Sequence, residues 1–289
     1  MTEVLVIGAA GKTGRAVTRA LLARGVTVRA AVRPGSSSAV YAGVPGPGTD
    51  AAPEVHTVPV DLESGAGLPV AMAGVSGVYH LAPNVHPDEV GIARRVAEAA
   101  VAEGVSRFAF HSVLHPDDAS MPHHLRKAEA EREIRSFVRT ATVLRPAAYH
   151  QNLVDAALAG RMVVPYSLDS AFTNVDLDDV AEVAALVLCD GRLEDETLDL
   201  AGPEALTVRE MAARATAVLG RPVEAAELSR DTWTTGPGAS LTAQARDDLL
   251  AMFRSYDRDG LVGGVGTLRD LLGREPRTWT DVLADAATA

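Results

Sequence analysis

The stretch Val4-Leu5-Val6-Ile7-Gly8-Ala9-Ala10-Gly11-Lys12-Thr13-Gly14 decides the fold. Four apolar residues read as one buried strand, the glycines at 8, 11 and 14 as a tight turn, and residues 15–24 as an amphipathic helix. Between a strand and a helix, the spacing G-x-x-G-x-x-G lets the backbone approach a pyrophosphate closely and aims a helix N-terminus at it. A turn that did nothing but reverse the chain would not need that context. Gly8, Gly11, Lys12, Thr13 and Gly14 are therefore candidate dinucleotide-binding residues.

The end of the second strand, 26–32, indicates which dinucleotide. An acidic residue there, roughly 20 positions beyond the turn, would bind the ribose 2′-hydroxyl of NAD. No Asp or Glu stands between Glu3 and Asp50; the strand ends instead in Val32-Arg33-Pro34-Gly35-Ser36-Ser37-Ser38. A guanidinium pairs bidentately with a phosphate, so Arg33 and the serines from Ser36 suit a 2′-phosphate, with Lys12 as a second positive charge. The expected cofactor is NADPH/NADP. On residue type alone, Arg33 and Lys12 also fit solvated loop positions.

Working outward, further strands are expected at 55–60, 75–82, 107–113 and 142–146, with helices at 87–103 and 123–137 and a stretch of Gly, Pro and Ser at 34–53. Strands alternating with helices imply an α/β, doubly wound parallel-sheet Rossmann fold. Ligands collect at the carboxyl ends of such strands, which singles out Ala82 and Pro83 after strand four. After strand three the Asp61 carboxylate, beside Leu62, suits the adenine amino group, and Pro146, ending strand six, is a further cofactor-binding candidate. Asp61 equally fits an ordinary helix cap. After Pro146 the rhythm changes to a helix at 149–159, a short strand at 172–175, a helix at 177–188 and a strand at 197–200. Thr207-Val208-Arg209-Glu210 has capping-box spacing, and the remainder looks helical, with glycine breaks at 260–266. The expected division is a Rossmann domain over 1–150 and a smaller, mostly helical substrate lobe over 151–289, with sheet-edge elements interleaved.

Composition narrows the function classes. The chain has 289 residues, 47% hydrophobic and 22% charged, with 38 acids against 27 basic residues and a net charge of −11. Arginines scattered among more acids do not make the basic stripe that nucleic acid requires. No apolar run approaches a membrane span. The single cysteine, Cys189, excludes an intrachain disulfide and reads as packing, and with the absence of a signal-peptide pattern it points to a cytoplasmic location. Six of the eight histidines fall between His80 and His124, but no H-E-x-x-H or paired-cysteine spacing accompanies them, so no metal is expected. A hydrolase elbow, Gly-x-Ser-x-Gly, is absent. Only two of the 27 basic residues are lysines, Lys12 and Lys127.

Together the glycine turn, Arg33, Val60-Asp61-Leu62, His111-Ser112-Val113, Lys127-x-Glu129-x-Glu131 and the run Val143 to Asn152 resemble the NmrA-like, atypical short-chain dehydrogenase/reductase family. Asp176-Leu177-Asp178-Asp179-Val180-Ala181 and Leu200-Ala201-Gly202-Pro203 extend the resemblance into the second half. It implies NADP(H) binding; similar proteins include quinone, dye and isoflavone-type reductases, and redox-sensing regulators. The wider superfamily uses a Tyr-x-x-x-Lys helix with a nearby Ser. Here His123 stands four residues before Lys127, and Ser112 ends strand five. One helical turn puts His123 and Lys127 on one face.

In that setting Lys127 is expected to bind the nicotinamide ribose and lend positive charge, with Ser112 hydrogen-bonding the acceptor oxygen. His123, His124 or Tyr149 would be the proton source. The expected function is an NADPH-dependent reductase of a small quinone-like, enone or aromatic carbonyl acceptor. Alternatives are an NADP(H)-binding redox sensor without turnover and a cofactor-retaining epimerase or isomerase. The expected partner is a small-molecule substrate, on a monomer or homodimer.

Overall fold

The structure is a computed structural model and describes residues 2–36 and 54–288. Ser37, Ser38 and most of the glycine-proline stretch at 34–53 lie outside the described residues. The chain divides into two compact units: Met1–Ser112, Arg126–Leu144 and Ala181–Leu198 form the first; Val113–Leu125, Arg145–Val180 and Asp199–Ala289 form the second.

β1 (Glu3–Ile7), α1 (Lys12–Ala23), β2 (Thr27–Val32), β3 (Val55–Pro59), α2 (Leu68–Met72), β4 (Gly77–His80), α3 (Glu89–Ala102), β5 (Arg107–His111), α4 (Pro122–Phe137) and β6 (Thr142–Pro146) follow one another along the chain. The sheet order is β3-β2-β1-β4-β5-β6, with β8 (Thr197–Leu200) outermost, and each registered pairing from β3 through β6 is parallel. This is the doubly wound order, reversing between β1 and β4, so ligands are expected at the carboxyl ends of those two strands.

The central strands hold this arrangement because they are buried on both faces. Val4 to Ile7 are all buried, as are Gly77 to His80 and Phe108 to His111, which is the run pattern of a parallel sheet covered on both sides. One core joins Leu5, Ile7, Val78, Phe108, Phe110 and Val143 of the strands to Leu68, Met72, Ile92, Val96 and Ile134 of the helices. Each fully buried Leu, Ile or Phe contributes ~1.5–3 kcal/mol relative to exposure.

In the second unit a 3₁₀ turn (His150–Asn152) leads into α5 (Val154–Leu158), in place of the single helix expected at 149–159. β7 (Arg161–Val164) pairs in parallel with β9 (Glu224–Glu227). The expected strand at 172–175 exists only as isolated bridges from Phe172 and Val175. α6 (Leu177–Cys189) starts in this unit. Thr207 caps α7 (Val208–Leu219) through the full capping box with Glu210, as its spacing implies. α8 (Arg230–Thr235), α9 (Ala243–Asp259), α10 (Gly266–Leu272) and α11 (Trp279–Thr288) follow. Trp279, fully buried, donates from Nε1 to the Met211 carbonyl at 2.9 Å and centres this unit's core. Among the described residues no helix is long and apolar enough to cross a membrane.

Candidate functional site

At the carboxyl end of β1 the chain turns on Gly8, whose φ of +81° lies in the left-handed region that favours glycine. Gly11 donates its N–H to the Gly8 carbonyl at 3.1 Å and then caps α1 in an extended conformation. A Cβ on Gly14 would stand 2.2 Å from the Gly8 carbonyl oxygen, so helix and strand approach as closely as they do only because the residue is glycine. A Cβ on Gly11 would meet that oxygen at 3.4 Å, an ordinary contact, so packing within the protein does not demand glycine there.

The first turn of α1 carries no acidic residue and no side-chain cap, so its own side chains do not oppose an anion at that helix end. Lys12 is exposed on that turn and Thr13 is half-buried. Arg33 and Ser36 are exposed just beyond β2, in a turn closed by the Ser36 amide on the Arg33 carbonyl at 3.0 Å. This cradle fits a dinucleotide phosphate.

Beyond β3, Asp61 is engaged within its own loop. One carboxylate oxygen accepts the Glu63 amide at 3.0 Å and the other the Ser64 hydroxyl at 2.6 Å. The Ser64 hydrogen bond holds its carboxyl below the usual carboxylate range. The adjacent Leu62 carbonyl is tied to Arg95 of α3 at 3.0 Å. After β4, Ala82 is buried and Pro83 exposed, and the buried Val85 has a φ of +52°, a strained conformation for a β-branched residue.

At the carboxyl end of β5 lies a buried polar cluster. Lys127 of α4, 4% exposed, donates to the His111 carbonyl at 3.1 Å and pairs at 2.5 Å with Glu89, the fully buried first residue of α3. Its ammonium also stands 5.3 Å from the Phe110 ring centroid. Tyr79 is hydrogen-bonded to His111 Nδ1 at 2.6 Å. His80 stacks on Phe110 with 5.5 Å between centroids. Burial, reinforced by the Lys127 charge, pushes both His80 and His111 down to about 3, so each is neutral near pH 7. Ser112, also buried, donates its hydroxyl to Glu131, one turn beyond Lys127 on α4.

The expected residues thus fall into two groups. Lys127 and Ser112 belong to the first unit, and His123, Tyr149 and Pro146 to the second. In the second unit, His123 is buried, with its ring 6.0 Å from that of His124. His124 donates from Nδ1 to the His115 carbonyl at 3.1 Å, and burial holds it below the usual histidine range. Tyr149 is half-buried beside the 3₁₀ turn, bridged to Val175. Pro146 is buried and accepts the Leu114 amide at 2.9 Å.

Sequence reasoning did not single out Glu89, Tyr79 or His80. A signal for Glu89 exists in hindsight. With Ile92, Ala93, Val96, Ala97 and Ala100 it completes the buried stripe of α3, an acid in the first place of an otherwise apolar face. Among the described residues no cluster of three or more His, Cys, Asp or Glu side chains is arranged to hold a metal.

Comparison with known proteins places the chain in a family and matches its fold. The model of the NmrA-like family matches residues 1–279. A (4-alkanoyl-5-oxo-2,5-dihydrofuran-3-yl)methyl phosphate reductase of Streptomyces griseus is 29% identical, covering 99% of this chain and 98% of its own. An NAD(P)H azoreductase of Xenophilus azovorans is 25% identical over the same shares of the two chains. Among solved structures, an NADPH-dependent quinone oxidoreductase of Escherichia coli complexed with NADPH superposes with a TM-score of 0.80 at 23% identity, covering 99% of this chain and 100% of that one. At that identity the likeness bears on the fold.

Proposed function

The chain belongs to the NmrA-like family, and from that premise we propose that it reduces a small quinone-like, enone or aromatic carbonyl acceptor with NADPH. It is an NAD(P)H-dependent oxidoreductase, in keeping with relatives named as an azoreductase, a butenolide phosphate reductase and a quinone oxidoreductase. The observation that carries the chemical assignment is the buried Lys127 ammonium at the carboxyl end of β5, in a chain whose Tyr-x-x-x-Lys position holds His123 instead.

NADPH, bound through its pyrophosphate at Gly8–Gly14, supplies a hydride to the acceptor. The backbone of Gly11 to Gly14 and the N-terminus of α1 hold the phosphates, and Arg33, Ser36 and Lys12 meet the 2′-phosphate. Asp61, Leu62, Ala82, Pro83 and Pro146 border the cofactor. Lys127 binds the nicotinamide ribose and stabilises negative charge as it develops on the acceptor oxygen, a preorganised charge in a dry setting. Ser112 hydrogen-bonds that oxygen once its hydroxyl turns from Glu131 to the acceptor. A quinone or extended enone leaves a delocalised anion, so its protonation needs no strong acid; His123 or Tyr149 delivers the second hydrogen as a proton.

The test is NADPH oxidation with a panel of quinones, enones and azo dyes, in the unsubstituted protein and in Lys127→Met. Turnover with at least one acceptor class, lost about 100-fold in Lys127→Met, is the expected result. Tight binding of NADPH with no turnover across the panel would replace this function with redox sensing.

A further inference from the structure

Glu89 is fully buried, yet every other buried residue on its face of α3 is apolar. Burying a carboxylate is costly unless it is paired, and a buried ion pair is commonly no more stabilising than well-packed apolar side chains of the same volume. Stability alone does not explain the residue. Its partner is Lys127, 2.5 Å away. The chain enters α3 through the loop at 81–88, which holds Ala82 and Pro83 and carries the strained Val85. The ion pair therefore fastens that loop, at the carboxyl end of β4, to α4.

The groups around Lys127 leave the counterion role to Glu89. His80 from β4 and His111 from β5 are neutral, and His111 offers Lys127 a carbonyl. Glu131, one turn along α4, is engaged by the Ser112 hydroxyl. We propose that Glu89 is a positioning residue for the reduction, holding the Lys127 ammonium charged and aimed at the end of β5. The inference rests on the role given to Lys127 in the proposed function.

The chain's two lysines make a direct test possible, because a lysine-selective NMR spectrum of the cofactor-free protein holds only the signals of Lys12 and Lys127. A Lys12→Arg variant assigns them. In Glu89→Gln the desolvated ammonium loses its counterion, and its titration midpoint is expected to fall by about one pH unit or more from that of the unsubstituted protein. The alkaline limb of the kcat/KM profile should move down by the same amount while the NADPH dissociation constant changes less than kcat. Glu89→Asp, which keeps the charge but draws it back by one methylene, should move both by less; it also serves if Glu89→Gln does not fold. An unchanged Lys127 midpoint and pH profile, with only a lower melting temperature, would overturn the proposal. If Lys127→Met alters turnover while Glu89→Gln and Glu89→Asp leave it unchanged, only Glu89's role falls. If Lys127→Met is itself without effect, the role of Lys127 in the proposed function falls too.

Discussion

The glycine turn and the Lys127 cluster lie in the same unit, at the carboxyl ends of β1 and β5, and are built on opposite principles. The turn is made of backbone, open at its surface, with its charges, Lys12 and Arg33, exposed. The cluster is made of side chains removed from water, with each charge set against another group: Lys127 on Glu89, and Glu131 on the Ser112 hydroxyl. The first needs only glycines at the right spacing to accept an anion. The second needs its partners in place before any ligand arrives, so its failure should be one of folding as much as of binding.

The largest expected effect breaks the cluster. Lys127→Met leaves the Glu89 carboxylate buried without its cation, which costs ~3–5 kcal/mol of stability. Removing both charges, in Lys127→Met with Glu89→Leu, should recover most of that loss, because a buried pair replaced by apolar groups is nearly neutral. Chemical denaturation of the single and double variants gives the coupling. If the double variant is as unstable as the sum of the two single ones, the pair does not act as a unit.

Next is the turn. Gly14→Ala forces a Cβ to within 2.2 Å of the Gly8 carbonyl oxygen and 2.6 Å of the Ala9 α-carbon, both main-chain atoms that cannot swing aside. Overpacking of this kind costs ~1–3 kcal/mol or more. NADPH affinity should fall further than stability, since the displaced atoms belong to the cradle itself; isothermal titration alongside thermal melting separates the two. Equal losses in both would mean that the turn serves packing alone.

The two regions also differ in how far the sequence exposes them. The turn is legible because its whole mechanism is local: strand, three glycines and helix lie within adjacent residues. β6 has the bounds its sequence implies, whereas β4, expected to run to 82, ends at His80, where the chain leaves the sheet toward Pro83 and the strained Val85. The cluster is only half legible. Lys127 stands out by its rarity and its helix, but its partner lies 38 positions earlier, and nothing local says that the two helices bring them together. β9 is hidden for a similar reason. Glu224-Ala225-Ala226-Glu227 has no residue of high β propensity and becomes a strand through its pairing with β7.

A smaller effect reads the cluster's neutral side. His80 makes no hydrogen bond through either ring nitrogen, and its folded value, about 3, lies well below the ordinary 6.5. The unfolded chain therefore binds the extra proton as pH falls below 6.5. The stability His80 contributes is full above that value and declines through the window down to about 3, by up to about 1.4 kcal/mol per pH unit. His111 adds a parallel slope. Melting at pH 7.5 and pH 5, in steps between, should show a shallower acid decline for His80→Leu than for the unsubstituted protein. Identical slopes would mean that His80 takes up its proton in the folded protein as readily as in the unfolded chain.

The smallest effect should fall on the open region and leave the buried one untouched. Arg33 is exposed beyond β2 and closes its turn through its carbonyl, not its side chain, so Arg33→Ala should barely change the melting temperature. Its guanidinium matters only when a 2′-phosphate is present. NADPH affinity should therefore drop roughly tenfold, about 1.4 kcal/mol, while NADH affinity stays within about twofold. The NADPH loss should shrink as salt is raised, because an exposed pair is screened where the Lys127–Glu89 pair is not. A variant that loses NADH and NADPH affinity equally would place Arg33 on a part of the dinucleotide common to both, and the preference for NADPH would then have to come from Lys12 and the serines that follow Gly35.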